Sequence, residues 1–125
     1  MKKILVVEDD MELRLVVELF LSYAHFEVIL ACDGIEGLEL LSKIHFDLVI
    51  TDFRMPRMNG LEFSKIAKEL YPELPIIMST AFIPPIDKEL KEKLHFLSKP
   101  YQINEMIMKI NNLLKIARNP TSIAL

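Results

Sequence analysis

The sequence is short of the features that mark several large protein classes. It holds a single cysteine, Cys32, which cannot pair within the chain, so a disulfide scaffold is excluded. Lys2 and Lys3 precede an apolar run, Ile4 to Val7, that is too short for a signal-peptide core and meets Glu8-Asp9-Asp10 at once. Together with the lone thiol, this points to the cytoplasm. No apolar stretch is long enough to cross a bilayer, so no membrane association is expected. Basic charge is not in surplus: 15 Lys and Arg face 18 Asp and Glu, net charge −3, with no basic stripe to neutralise a phosphate backbone. Direct nucleic-acid binding is therefore not expected. Internal repeats, low-complexity tracts and domain boundaries are missing too.

What is present suits one globular domain. A chain of 125 residues, 51% hydrophobic and 26% charged, can hide roughly two-thirds of its extended surface on folding. Apolar runs alternate with amphipathic segments five times, the rhythm of a parallel sheet with helical crossovers. Strands are expected at Lys3–Val7, Glu27–Ala31, Asp47–Thr51, Pro75–Ser79 and Phe96–Leu97. Unbroken runs such as Leu48-Val49-Ile50 fit strands covered on both faces.

The first helix should follow Asp10, with Leu13, Val16, Val17, Phe20 and Ala24 as its buried stripe. Asp33 is read as the cap of the second helix, with Glu36 completing something close to a capping box. Phe63, Ile66, Ala67 and Leu70 form the stripe of the third, which Pro72 stops. The last helix carries Ile103, Met106, Ile107, Ile110, Leu113, Leu114 and Ala117. Between them, Pro84-Pro85 leaves only Asp87 to Leu94 for a fourth helix, about two turns, which should be loosely held by Ile86, Leu90 and Leu94. The domain is expected over residues 1–117, and 118–125 as a C-terminal tail or the start of a linker.

In an open parallel sheet, ligands bind beyond the carboxyl ends of the strands, where strand order reverses. Those ends carry Glu8-Asp9-Asp10, Asp52, Ser79-Thr80 and Ser98-Lys99-Pro100. Several carboxylates crowded together raise one another's pKa unless a cation joins them. Oxygen ligands without His or Cys favour Mg²⁺, which takes one or two carboxylates and leaves positions for water and phosphate. A carboxylate held ionised beside a metal and Lys99 can attack phosphorus and form an aspartyl phosphate, while Thr80 donates to a phosphoryl oxygen.

Over about residues 2 to 117, the motifs I-L-V-V-E-D, D-L-V-I-T-D-F-R-M-P-R-M-N-G-L-E, S-T-A and K-P-Y make the chain resemble the CheY-like receiver domain of two-component response regulators. The resemblance implies a flavodoxin-like, doubly wound α/β fold with a five-stranded parallel sheet in the order 2-1-3-4-5. It implies Asp9 as direct metal ligand, Glu8 holding a metal-bound water, Asp52 as phosphoacceptor and the Arg54 carbonyl as third protein ligand to Mg²⁺. It also implies Thr80 as switch hydroxyl, Lys99 as phosphate-binding ammonium, Phe96 as the aromatic that turns inward, and a cis Lys99-Pro100 bond. The implied partners are a sensor histidine kinase or phosphotransfer protein, and a downstream effector protein or fused output domain. The chain would be a stand-alone regulator or a piece of a larger one. A homodimer through the last two elements is allowed but not specified.

Three departures stand out. The Thr80–Lys99 stretch is a few residues short, so the fourth helix should be reduced or displaced and partner docking altered. Phe96 replaces the frequent Tyr, keeping the ring without the hydroxyl. Arg54 places a cation two residues after the acceptor, where it can touch the phosphoryl group or fence off water and so alter the phosphate's lifetime.

Taken singly, each of these residues has an ordinary role: a solvated strand end, a turn aspartate, a surface lysine, a capping hydroxyl. Their joint order favours the switch. His25, His45 and His95 lack metal-ligand spacing; Cys32 reads as a small apolar filler, and Met55 and Met58 as plugs beneath Asp52. Asp10 reads as a helix cap, and the charged run 87 to 93 as a solvated face. The competing reading is a receiver-like docking or scaffold module that is never phosphorylated. A phosphatase of the haloacid dehalogenase type would want D-x-D at the first strand, and a flavodoxin would want hydroxyl and amide donors where this first loop is acidic.

Overall fold

The computed structural model describes residues 1–115. Five strands, β1 (Lys3–Val7), β2 (Glu27–Ala31), β3 (Leu48–Asp52), β4 (Ile76–Thr80) and β5 (His95–Ser98), alternate with five helices, α1 (Met11–Tyr23), α2 (Gly34–Lys43), α3 (Gly60–Leu70), α4 (Lys88–Lys93) and α5 (Ile103–Leu114). All strand pairs are parallel, in the order β2-β1-β3-β4-β5. Right-handed crossovers on both sides of such a sheet place the reversal of strand order between β1 and β3.

Alternation along the strands divides the core in two. Leu5, Val7, Val49, Ile76 and Met78 face α2, α3 and α4 through Leu41, Phe63, Ala67 and Leu90. Ile4, Val6, Leu48, Ile50 and Ile77 face α1 and α5 through Val17, Leu21, Met106, Ile107 and Ile110. β1, β3 and β4 are thus covered on both faces, as their unbroken apolar runs require.

The strands lie within one residue of expectation. β3 and β4 each start one residue later than read, so Asp52 and Thr80 are the last residues of their strands. Two helix stripes need correction. On α1, Val17 and Leu21 are buried while Val16 and Phe20 are exposed, because the helix sits rotated toward its Leu21 edge. That rotation leaves Met11, Leu15, Leu19 and Tyr23, each four residues apart, facing water. On α3, Phe63 and Ala67 are buried but Leu70, in the last turn, is exposed. Ala117 and the tail at 118–125 lie outside the described residues.

α4 is short, as Pro84-Pro85 requires, and Asp87 caps it by accepting from the Leu90 amide at 2.9 Å. Leu90 and Leu94 are buried and Ile86 packs against the same cluster, so the two turns are anchored along one row and their five charged residues are exposed. Among the described residues no helix is long and apolar enough to cross a membrane.

Left-handed backbone occurs at His25, Arg57 and Lys115 and at no glycine. The glycines serve close approach instead. A Cβ on Gly60 would lie 2.1 Å from the Asp52 carbonyl oxygen, where backbone meets backbone. Gly60→Ala should therefore destabilise the domain by about 3 kcal/mol, the upper end of ordinary overpacking, read as a lower urea midpoint.

Candidate functional site

Each strand that ends at the switch point delivers one piece of chemistry. Beyond β1, the Glu8 amide donates to the Ala31 carbonyl at 3.0 Å, which extends the β1–β2 ladder by one step and turns the Glu8 side chain inward. Glu8 is buried and Asp9 exposed. Asp10 caps α1, accepting from the amides of Glu12 and Leu13 at 3.0 and 3.2 Å, as read from sequence. Asp52, on the last step of β3, is buried. One carboxylate oxygen each from Glu8, Asp9 and Asp52 lies within 4.8 Å of the others.

One ammonium answers this acidity. Lys99 reaches across from the end of β5 and donates from Nζ to Asp52 Oδ1 at 2.5 Å. Its own amide donates to the Thr80 carbonyl at 3.0 Å, and the cis Lys99-Pro100 peptide turns the chain away directly behind it. Thr80, buried at the end of β4, donates from Oγ1 to the Phe82 carbonyl at 2.7 Å and accepts from the Phe82 amide at 3.3 Å. Phe96, opposite Met78 in the β4–β5 register, is half-buried against the α2–α3–α4 side of the core.

Burial dominates the electrostatics of the site. Burial, reinforced by the charge of Asp52, pushes the Glu8 carboxyl up to about 7, although the Asp10 amide and Lys99 pull the other way. Burial, with Glu8 and Asp52 nearby, also pushes the Tyr101 hydroxyl upward. Three clustered carboxylates with a single Lys make an all-oxygen donor set, which suits a hard divalent cation such as Mg²⁺. Asp9 and Arg54 line a cavity of about 550 Å³ with Met55, Pro56 and Asn59, which leaves space beside the carboxylates.

Glu8, Asp9, Asp52, Thr80 and Lys99 therefore gather at one end of the sheet, with Arg54 beside Asp9, whereas Phe96 lies two residues before the end of β5 against the core. Met55 and Met58 are half-buried against the core, in keeping with their reading as plugs. Cys32 is the exception: it is exposed rather than filling the core, because the chain turns outward there to start α2. Asp33 caps α2 through the Glu36 amide at 2.8 Å, while Glu36 accepts from the Cys32 amide instead of closing a strict capping box. Sequence reasoning missed three neighbours. Arg14 donates to the Glu8 carbonyl at 2.8 Å, Tyr101 sits near the carboxylates, and Arg57 pairs with Asp33. Only the first had a signal, a cation one turn into the helix that follows the acidic pair.

A family model for the response regulator receiver domain matches residues 4–111. A probable transcriptional regulator, ycf27 of Cyanophora paradoxa, is 36% identical over 96% of this chain and 51% of its own length. The response regulator receiver protein CpdR of Brucella abortus is 32% identical over 91% of this chain and 98% of its own. The chain spans about half the length of the transcriptional regulators it matches. Among solved structures, response regulator protein TrrA of Thermotoga maritima, in complex with Mg²⁺-BeF, superposes with a TM-score of 0.82 at 28% identity, over 90% of this chain and 99% of that one.

The raised Glu8 has a thermodynamic consequence. The cation-free folded domain holds the Glu8 proton more tightly than the unfolded chain, whose carboxyl titrates near 4.5. Stability should thus be highest below pH 4.5 as far as Glu8 is concerned, and fall by on the order of 3 kcal/mol as pH rises to 7. Urea midpoints across that range, without divalent cation, should slope downward in the wild type relative to Glu8→Gln. Mg²⁺ should raise the midpoint above pH 7 in the wild type and leave Asp9→Asn unmoved.

Proposed function

The chain belongs to the response regulator receiver domain family, and on that premise we propose that it accepts a phosphoryl group on Asp52 from a histidine kinase or phosphotransfer protein in a Mg²⁺-dependent reaction. The modified domain signals to a downstream effector or fused output domain in the cytoplasm. The observation that carries this reading is the meeting of Glu8, Asp9 and Asp52 at the switch point with Lys99 seated 2.5 Å from the acceptor carboxylate.

Glu8, Asp9, Asp52 and the Arg54 carbonyl would hold the cation, whose contribution is to neutralise charge on the phosphoryl oxygens. Asp52 presents a carboxylate oxygen to phosphorus; a bond forms there as the bond to the donor's leaving group breaks, giving an acyl phosphate. Lys99 now spends its ammonium on Asp52 Oδ1, and in the phosphorylated state the same ammonium pairs with a phosphoryl oxygen. Thr80 holds its hydroxyl on the Phe82 carbonyl, so turning it toward the phosphoryl group releases the loop that follows β4. Phe96 then moves into the space Thr80 leaves. Such a domain is a switch that assists its own modification rather than an enzyme turning over a separate substrate. The exposed apolar row Met11, Leu15, Leu19 and Tyr23 starts beside Asp10 at the mouth of the site, a surface suited to a donor protein.

Incubation with a small acyl phosphate and Mg²⁺ should add the mass of one phosphoryl group to the wild type and nothing to Asp52→Asn. Lys99→Ala should slow the gain by about a hundredfold, as expected for loss of one charge-stabilising donor. No gain in the wild type, or an equal gain in Asp52→Asn, removes this reading.

A further inference from the structure

The loop from β3 to α3 contains an expensive residue. Arg57 has φ 66°, in the left-handed region where an L side chain costs roughly 1 kcal/mol and where glycine or asparagine would sit at ease. The chain keeps an arginine there, and its guanidinium pairs with the carboxylate of Asp33, which is 3% exposed at the start of α2. The two oxygens of Asp33 divide their work: Oδ1 accepts from the Glu36 amide and caps α2, and Oδ2 accepts from Arg57. A buried carboxylate needs such a partner, and Arg57 comes from 24 residues away to supply it.

The same loop is held at two further points. Met58 lies against Gly34 so closely that a Cβ there would sit 2.9 Å from its sulfur, and the Gly60 amide donates to the Phe53 carbonyl at 2.8 Å. The segment between these ties, Arg54 to Pro56, forms the wall of the cavity that opens beside Asp9. The strained backbone and the ion pair therefore adjoin, at Pro56, the wall that shares this cavity with Asp9.

Resting on the cation reading above, we infer that Arg57 and Asp33 are positioning residues for the cation site. The clamp between them fixes the Arg54–Pro56 wall, and with it the Arg54 carbonyl that would join Asp9 and Asp52 in holding a cation. Neither residue touches the cation. Their effect is on the freedom of the loop, and outer groups that orient ligands in this way typically govern affinity by 10- to 100-fold.

The test uses the double variant Asp33→Asn/Arg57→Gly. Asparagine retains the helix cap and removes the buried charge, and glycine relieves the left-handed strain, so the fold survives without the clamp. Binding of Mn²⁺, followed by loss of the electron paramagnetic resonance signal of the free ion, reads the site without any phosphotransfer. The expected result is a Kd raised about tenfold in the double variant, with a urea midpoint close to that of the wild type. An unchanged Kd in the double variant, while Asp9→Asn loses binding, overturns the clamp and leaves the cation reading standing. Binding by the wild type no tighter than by Asp9→Asn overturns both.

Discussion

Like charges brought together at one end of a parallel sheet are the constraint around which this domain is organised. Glu8, Asp9 and Asp52 would repel one another in any arrangement, and a single ammonium, that of Lys99, stands among them. Two consequences follow. Burial first, and the charge of Asp52 after it, keep Glu8 reluctant to ionise, and further positive charge beside it would relieve that reluctance. The site is therefore strained toward cations and toward anything a cation carries with it, which is what a phosphoryl-accepting surface needs before a donor arrives.

The strands and loops can be understood as the means of imposing that crowding. β1 and β3 are adjacent and parallel, so their carboxyl ends necessarily lie side by side, and no loop rearrangement can separate Glu8 from Asp52 without unpairing the sheet. The position of Lys99 is set by the hydrogen bond of its amide to Thr80 and by the turn at Pro100. Gly60 lets α3 begin directly against the Asp52 backbone, which holds the end of β3 in place. Each of these devices works against electrostatic repulsion, and the hydrophobic burial of five strands and the helices on both faces supplies the free energy that makes them affordable.

Much of this was legible in the amino-acid sequence, and the exceptions share a cause. Strands announce themselves as short apolar runs, so their positions came within one residue, and the residues at their ends followed from topology. The buried stripe of α1 was less legible: Val16 and Phe20 belong to the right helical period but face water, because which edge of an apolar helix is covered depends on the rotation set by its neighbours. Leu70, the last residue of α3, likewise fits the helical period yet is exposed. Cys32 is small and apolar by type, yet the turn into α2 carries it outward. The Arg57–Asp33 pair had no local signature at all, since each residue alone looks like a loop cation and a helix cap. Periodicity and chemistry report what an element is; long-range pairing and helix rotation emerge only from three-dimensional packing.

On the proposed switching, the short α4 would change how a signal leaves the site. With α4 reduced to six residues on Leu90 and Leu94, the segment Phe82–Ile86 replaces part of a helix with extended, proline-stiffened chain, and Phe82 and Ile83 are exposed on it. That segment is tied to the site by the Thr80 hydroxyl, through a neutral hydrogen bond to the Phe82 carbonyl worth about 1 kcal/mol. A charged phosphoryl oxygen on Asp52 would offer the same hydroxyl a bond of roughly 1.5–3 kcal/mol. The difference is a bias of about one to two kcal/mol, enough to move a balanced equilibrium severalfold but not to drive a large refolding. A stiff, apolar, lightly tethered loop is an output that so small a bias can move, whereas a full helix packed along its length would resist it. Under the proposed switching, the short α4 would thus lower the work a phosphoryl group has to do.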